Sequence, residues 1–171
     1  MQIVNVGSGR LKVSGDPEVV LTTESLCPSL AVTMYDPDAH VGGMLHLELP
    51  DSSLDPAGAR LEPARFADTG ITLLIEEVRR HGAQKPRIET RLSGGATQAA
   101  PDPLALVIAK RNYLAVRKTL WKEGVMISAA AFGGTTSPTT GIQIGTGDPW
   151  PSRDDQAAAE SATAVGDGNA A

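Results

Sequence analysis

The first third of the chain alternates apolar and polar residues in a way that predicts short β-strands. The runs share β-branched or alternating apolar positions and are bounded by Gly, Asp and Pro. They cover residues 2–6, 11–13, 19–22, 30–35 and 41–49. The chain is therefore expected to begin as a sheet.

The strand predicted over residues 41–49 has the most informative alternation. Its leucines share one face, and they are Leu45, Leu47 and Leu49. Because side chains alternate along a strand, His46 lies on the opposite face. A leucine face is the natural core side, so His46 is expected to point toward a second layer or a cleft.

Two helices are predicted in the rest of the chain. The first covers residues 66–81, where apolar residues fall at i, i+3, i+4 and i+7. These residues are Ile71, Leu74, Ile75 and Val78. The second is expected to start at an N-cap on Asn112 and to end at Glu123, since Asn is a favoured capping residue. The apolar run over residues 104–108 is compatible with either helix or strand.

Strands and helices together predict an α/β fold. Three more strands are expected over residues 87–92, 125–132 and 142–144. The fold class is a single-domain layered sandwich, in which a mixed β-sheet packs against two main helices. The domain is predicted over residues 1–149, and the Ala-, Asp- and Gly-rich residues 150–171 are predicted to be a disordered tail.

Composition narrows the functional classes. The chain has 171 residues, a formal net charge of −5 and one cysteine. No internal disulfide can form, and a reducing compartment is indicated. The sequence has no long basic cluster of the kind that would predict nucleic-acid binding. No apolar run approaches the ~20 residues that a membrane-spanning helix needs. The amino end also lacks a signal-peptide pattern, so a cytoplasmic protein without membrane insertion is expected.

Metal and cofactor chemistry have no recognisable motif in the sequence. The single cysteine and three histidines show no ligand spacing, so no metal is expected. His40 and His81 are interpreted as structural residues in a turn and at a helix end. Gly7-Ser8-Gly9 is a turn rather than a dinucleotide-binding motif, so no cofactor is expected.

Nucleophilic catalysis is the sharper hypothesis, and it concentrates on residues 22–50. It needs a thiol or hydroxyl, an imidazole to accept its proton and a third group to orient that imidazole. Cys27 or Ser29, with His46 and a threonine hydroxyl, supply those groups. The structural alternative is that Cys27 is a small buried hydrophobe and His46 an inter-layer residue.

An ordered set of short motifs adds a resemblance to a known family. The motifs are SLAVTMYDP, GGMLHLELPDS, FADTGITLLIEE, SGGA, AKRN and FGGTTSPTTG. In that order they resemble the CheD family of chemoreceptor glutamine deamidases over about residues 2–146. The resemblance implies a cytoplasmic amidohydrolase with a layered α/β fold. It also implies methyl-accepting chemotaxis receptors as partners, with a CheC-type phosphatase as a further partner.

The resemblance also implies roles for particular residues. In the family a cysteine attacks the glutamine carboxamide, a histidine shuttles the proton and a threonine orients the histidine. Matching the Tyr-Asp pair at residues 35–36 and His46 places the nucleophile position at Ser29 and the threonine at Thr23. Cys27, two residues earlier, remains the alternative nucleophile. A non-catalytic adaptor and an unrelated small-molecule hydrolase on the same scaffold also remain open.

Overall fold

The structure is a computed structural model, and it describes residues 1–96, 102–133 and 139–151. The predicted tail lies outside these residues apart from its first two positions. Its disorder therefore stays a prediction.

Nine strands form two sheets in the described residues. The larger sheet has the order β2-β5-β4-β6-β7. Its strands are β2 (Arg10–Ser14), β4 (Leu30–Asp36), β5 (Val41–Leu47), β6 (Glu89–Gly94) and β7 (Ile127–Phe132). The smaller sheet has the order β1-β3-β8-β9. Its strands are β1 (Gln2–Asn5), β3 (Val19–Thr23), β8 (Thr140–Gln143) and β9 (Pro149–Trp150). Pairing is antiparallel except for β1 with β3 and β6 with β7.

Three α-helices accompany the sheets, and they confirm the α/β prediction. They are α1 (Pro56–Leu61), α2 (Ala67–Arg80) and α3 (Pro103–Glu123). The predicted stripe of α2 is buried along its whole length. It packs in one apolar cluster with Leu45 and Leu47 of β5 and with Val116 and Leu120 of α3.

The expected N-cap at Asn112 is wrong. Helix α3 starts at Pro103, with the Asp102 side chain accepting from the backbone N–H of Leu104. Asn112 lies in the middle of the helix, fully buried, and its Nδ2 donates to the backbone oxygen of Glu48 at 2.9 Å. Asn is favoured at caps because its side chain bonds to backbone groups. Here that backbone group belongs to Glu48, a distant residue just after the end of β5.

Strand β5 has different layers on its two faces. Leu45 and Leu47 face the helices, whereas Met44 packs with residues of the smaller sheet such as Leu21 and Ile142. His46 lies on the Met44 face by alternation. The prediction that His46 points toward a second layer is confirmed.

A buried carboxylate fixes the end of β4 beside the segment that enters β6. Arg87 donates from Nε and Nη2 to Asp36 at 3.0 and 2.8 Å, and the backbone N–H of Gln84 donates at 2.8 Å. Further amides from Asp38 and Ala39 complete the set. Burial alone raises the pKa of Asp36, but these donors outweigh it, so the pKa lies well below the usual carboxyl range.

Asp36→Asn is expected to lower the free energy of unfolding by about 2–4 kcal/mol, because it removes the buried charge that pairs with Arg87. Urea denaturation at neutral pH measures this. The Asp36 contribution is present above the ordinary carboxyl pKa of 3.8 and is lost as pH falls through the lower folded value. The exposed Asp38, at 3.5 Å from Arg87, provides the control. Asp38→Asn should cost under ~1 kcal/mol, and equal losses would contradict the assignment.

Candidate active site

Three polar residues meet where the two sheets face each other. His46 lies near the end of β5, and Ser29 immediately precedes β4. The antiparallel register pairs Leu30 with Leu47, which brings Ser29 beside the histidine. Thr23 is the last residue of β3 in the smaller sheet. The site therefore takes one group from each side of the sandwich and one from the loop between β3 and β4.

The three side chains form a hydrogen-bonded row. Nε2 of His46 lies 2.8 Å from Oγ of Ser29, and Nδ1 lies 2.8 Å from Oγ1 of Thr23. Thr23 and His46 are buried, and Ser29 is only 7% exposed. Both ring nitrogens thus have partners, as buried polar groups require.

The threonine hydroxyl determines the tautomer of His46. Its single proton is donated to the backbone oxygen of Val6 at 2.7 Å. Oγ1 can therefore only accept from His46, so Nδ1 carries the ring proton in the neutral imidazole. Nε2 is left with a lone pair that faces the Ser29 hydroxyl. This is the tautomer that a general base toward Ser29 requires.

The loop over residues 24–29 is held by glycines at the end of β6. The backbone N–H of Gly95 donates to the backbone oxygen of Ser29 at 2.9 Å. Gly94 has φ of +113°. A Cβ at this position would come within 2.7 Å of the backbone oxygen of Ser29 and within 2.8 Å of Leu26 Cβ. Only glycine fits this close approach without displacing the loop. The same loop contains Ser25 at φ of +61°, a left-handed conformation uncommon for a residue with a side chain.

Cys27 has no place in the row. It is a partly exposed free thiol, and in the described part of the chain no hydrogen bond joins it to His46. Of the four predicted site residues, the structure brings together Thr23, Ser29 and His46. It leaves Cys27 beside them in the loop.

A carboxylate adds charge near the imidazole. Glu48 accepts from Ser8 Oγ at 2.5 Å and from Arg65 Nε at 2.9 Å. Burial raises the pKa of Glu48, but these bonds and the Arg65 charge lower it by more. The pKa of Glu48 therefore lies below its usual value. Burial lowers the pKa of His46, and the charge of Glu48 partly opposes this, leaving it below 6.5.

Glu48 and its partners were not predicted as site residues. Glu48 lies two residues after His46 in the strand predicted over residues 41–49, so the two side chains share a face. That alternation was the only feature of the sequence that indicated a place for Glu48 at the site. Ser8 and Arg65 come from distant segments, and nothing in their local sequence indicates the contact.

The predicted Gly7-Ser8-Gly9 turn forms one wall of a cleft at the site. The backbone N–H of Gly9 donates to the His46 oxygen at 2.9 Å. The cleft has a volume of about 300 Å³. Its lining comprises Asn5, Gly7, Ser8, Thr23, Glu24, Ser25 and His46. A cleft of this size is large enough to admit a polar side chain.

The other histidines have local partners. His40 Nδ1 lies 3.3 Å from the Tyr35 hydroxyl, and His81 Nδ1 lies 2.9 Å from the Glu77 backbone oxygen. Across residues 1–96, 102–133 and 139–151, no three metal-ligand side chains cluster. No helix in these ranges has the length and apolarity to cross a bilayer.

A hydroxyl, an imidazole and an orienting hydroxyl in one row have the arrangement of a base-assisted nucleophile, as in hydrolases. The family described as CheD chemotactic sensory transduction matches residues 48–153. Together with the relatives below, this match shows that the chain belongs to the CheD family. The family match begins two residues after His46, so the roles within the row rest on geometry.

Curated relatives extend the match over most of the chain. A Solibacter usitatus protein named "Probable chemoreceptor glutamine deamidase CheD" is 46% identical over 151 residues, covering 88% of each chain. "Probable chemoreceptor glutamine deamidase CheD 1" of Syntrophus aciditrophicus is 38% identical, covering 84% of this chain and 89% of its own. Among solved structures, the Bacillus licheniformis hypothetical protein YfiH aligns with a TM-score of 0.48 and 13% identity. That alignment covers 78% of this chain and 60% of the other.

Glu48→Gln is expected to lower the pKa of His46 further, because it removes the negative charge that favours the imidazolium. An NMR titration of the imidazole signals measures this shift without reference to activity. Glu62→Gln is the matched control, since Glu62 also pairs with Arg65 but on its exposed side. An unchanged or raised His46 pKa in Glu48→Gln would contradict the electrostatic assignment.

The depressed pKa of His46 also has a consequence for stability. In the unfolded chain a histidine titrates near 6.5, so below that pH the unfolded state binds a proton that the folded state does not. The His46 contribution therefore makes the protein less stable as pH falls below about 6.5. A His46→Gln variant should show a smaller loss over that interval in urea denaturation.

Proposed function

We propose that this chain hydrolyses glutamine side-chain amides of chemoreceptors to glutamate, with release of ammonia. The observation that carries the proposal is the row Thr23–His46–Ser29, with the Nε2 lone pair facing a hydroxyl at 2.8 Å. The relatives named as probable chemoreceptor glutamine deamidases supply the substrate class. The reaction would take place in the cytoplasm, as the sequence predicts.

The proposed first step is acylation of Ser29. Its Oγ attacks the carboxamide carbon while Nε2 of His46 accepts the hydroxyl proton. The imidazolium then protonates the leaving nitrogen and the C–N bond breaks. Ammonia departs, and an acyl ester on Ser29 remains. In the second step His46 takes a proton from a water molecule as the water oxygen attacks the ester carbon. His46 then returns a proton to Ser29 Oγ, the ester bond breaks, and the glutamate carboxyl group is released.

The state of His46 suits this role. A serine hydroxyl is far less acidic than a thiol, whose reference pKa is ~8.5, so its attack depends on a base. Burial lowers the pKa of His46, which keeps the ring neutral at neutral pH, so that Nε2 is free to accept a proton. Glu48 places negative charge near the imidazolium formed during attack, which the uncharged Thr23 cannot supply.

Ser29 is nearly covered, at 7% exposure. The cleft that reaches Thr23 and His46 does not include Ser29 in its lining. We propose that part of the loop over residues 24–29 moves aside when a carboxamide binds. Substrate-induced loop opening and closure of this kind is common in enzymes.

A non-catalytic adaptor is the second candidate function. It would bind receptors or a CheC-type phosphatase without hydrolysis. Its support is that Ser29 occupies the position where the family resemblance implies a cysteine, and that Pro28 before it has no N–H to donate to an oxyanion. This candidate expects His46→Ala to retain receptor binding in a pull-down and full signalling in cells.

Ser29→Ala is expected to reduce glutamine-to-glutamate conversion by about 10³-fold or more, because the nucleophile is lost. Cys27→Ala should retain activity, and Ser29→Cys should convert at least as fast as the native chain, since a thiol ionises more readily. Peptide mass spectrometry on receptor cytoplasmic fragments measures conversion. Loss of activity in Cys27→Ala with retention in Ser29→Ala would assign the reaction to Cys27.

The native chain and Ser29→Cys together separate the two candidate functions. An established glutamine deamidase acting on the same fragments serves as the positive control. Conversion by Ser29→Cys alone would favour the adaptor, because the site would be built but its native nucleophile inactive. No conversion by either chain would overturn the hydrolase proposal.

A further inference from the structure

Ser8 lies in the wall of the cleft at the site, in the turn that precedes β2. Its Oγ donates to Oε1 of Glu48 at 2.5 Å, a length typical of a hydroxyl that bonds to a carboxylate. The next residue, Gly9, holds the turn in place, since its backbone N–H donates to the His46 oxygen at 2.9 Å. The hydroxyl of Ser8 therefore has a fixed place in the cleft that also reaches His46.

The partners of Glu48 keep its side chain ionised. Arg65 donates from Nε to Oε2 at 2.9 Å, and its backbone oxygen accepts from the N–H groups of Glu48 and Leu49 at 2.9 and 3.0 Å. Burial raises the pKa of Glu48, but the bonds from Ser8 and Arg65 lower it by more. Glu48 is thus a carboxylate at neutral pH, and a carboxylate has no proton to donate.

The direction of the bond between Ser8 and Glu48 determines what Ser8 presents to the cleft. A serine hydroxyl has one proton and two lone pairs. Because the proton is donated to Glu48, Oγ can only accept from a group that enters the cleft. The carboxylate of Glu24, which also lines the cleft, can likewise only accept. These two residues therefore favour an entering group that has N–H donors.

We propose that Ser8 is a specificity-determining residue, whose Oγ accepts from the carboxamide nitrogen of glutamine and excludes the carboxylate of glutamate. A carboxamide has two N–H donors, whereas a carboxylate has only acceptors. A site that is built to bond a substrate N–H rejects an analogue that lacks it. The inference rests on the proposed function, since it takes a glutamine side chain as the occupant of the cleft.

The same contact orients the leaving group. In the proposed acylation step the carboxamide nitrogen takes a proton from His46, so it must lie on the side of the cleft that His46 reaches. Ser8 and His46 line the same cleft, and an acceptor at Ser8 draws the nitrogen toward this side. After hydrolysis the product has no N–H for Ser8. The product glutamate therefore binds more weakly than the substrate.

The test compares binding of an amide with binding of the matched acid. It uses a Ser29→Ala protein, which lacks the proposed nucleophile, so that the amide is not consumed. The probes are N-acetylglutamine methylamide and N-acetylglutamate methylamide. The NMR signals of the His46 imidazole report occupancy at about pH 8, where the ring is neutral. We expect saturable binding of the amide, about tenfold or more tighter than binding of the acid.

Two further variants test the role of Ser8. Ser8→Ala should reduce the preference for the amide by about tenfold, because the acceptor is lost. Glu48→Gln should reduce it with Ser8 still in place, because a carboxamide at position 48 can donate to Ser8 and free the hydroxyl proton for the cleft. Ser53→Ala is the matched control. The Ser53 hydroxyl also bonds to a carboxylate, that of Asp51, but lies outside the cleft, so the preference should be unchanged.

Several outcomes would overturn the proposal. They include no saturable binding of the amide, equal binding of amide and acid, and a preference that survives in both Ser8→Ala and Glu48→Gln. An equal loss of preference in Ser53→Ala would show that the effect is not specific to the cleft. Tighter binding of N-acetyllysine methylamide than of the amide would assign the acceptors to a cation. An amide preference that depends on Ser8, in a native chain that converts no glutamine, would contradict hydrolysis alone.

Discussion

The hydroxyl proton of Thr23 is the constraint on which the site depends. Because that proton is donated to the Val6 backbone oxygen, the threonine oxygen can only accept, so Nδ1 of His46 must donate to it. Nε2 then presents its lone pair to the Ser29 hydroxyl at 2.8 Å, and the other acceptor for that hydroxyl is the Ser25 backbone oxygen at 3.2 Å. A backbone carbonyl next to β1 thereby determines which nitrogen of a histidine in the other sheet can act as a base.

This arrangement orients the imidazole of His46 through an uncharged group, the hydroxyl of Thr23. A carboxylate in the position of Thr23 would stabilise the imidazolium directly and raise the pKa of His46. The hydroxyl does not, and burial lowers that pKa instead. Glu48 contributes charge from two residues away, while its bonds to Ser8 and Arg65 fix a wall of the cleft. Orientation and charge are thus supplied by different residues.

The same strand end connects the site to the outer helix. The backbone oxygen of Glu48 accepts from Asn112, in the middle of helix α3. At the far end of the larger sheet, Asp36 and Arg87 hold the β4–β5 turn against the entry to β6. The strand that carries His46 therefore lies in a sheet that is fixed at both ends by buried polar contacts.

Local sequence determined the faces of helix α2 and strand β5, but it placed the start of helix α3 too late, at Asn112 instead of Pro103. The stripe of α2, the leucine face of β5 and the opposite orientation of His46 follow from periodicity alone, since side-chain direction alternates along a strand and repeats every three to four residues along a helix. The family resemblance also implied that Thr23, Ser29 and His46 share one site. Periodicity carries no information on which distant segment faces a given side chain. Only the tertiary structure decided that Asn112 bonds to a distant backbone oxygen, and that the proton of Thr23 goes to Val6, because those partners lie in other layers.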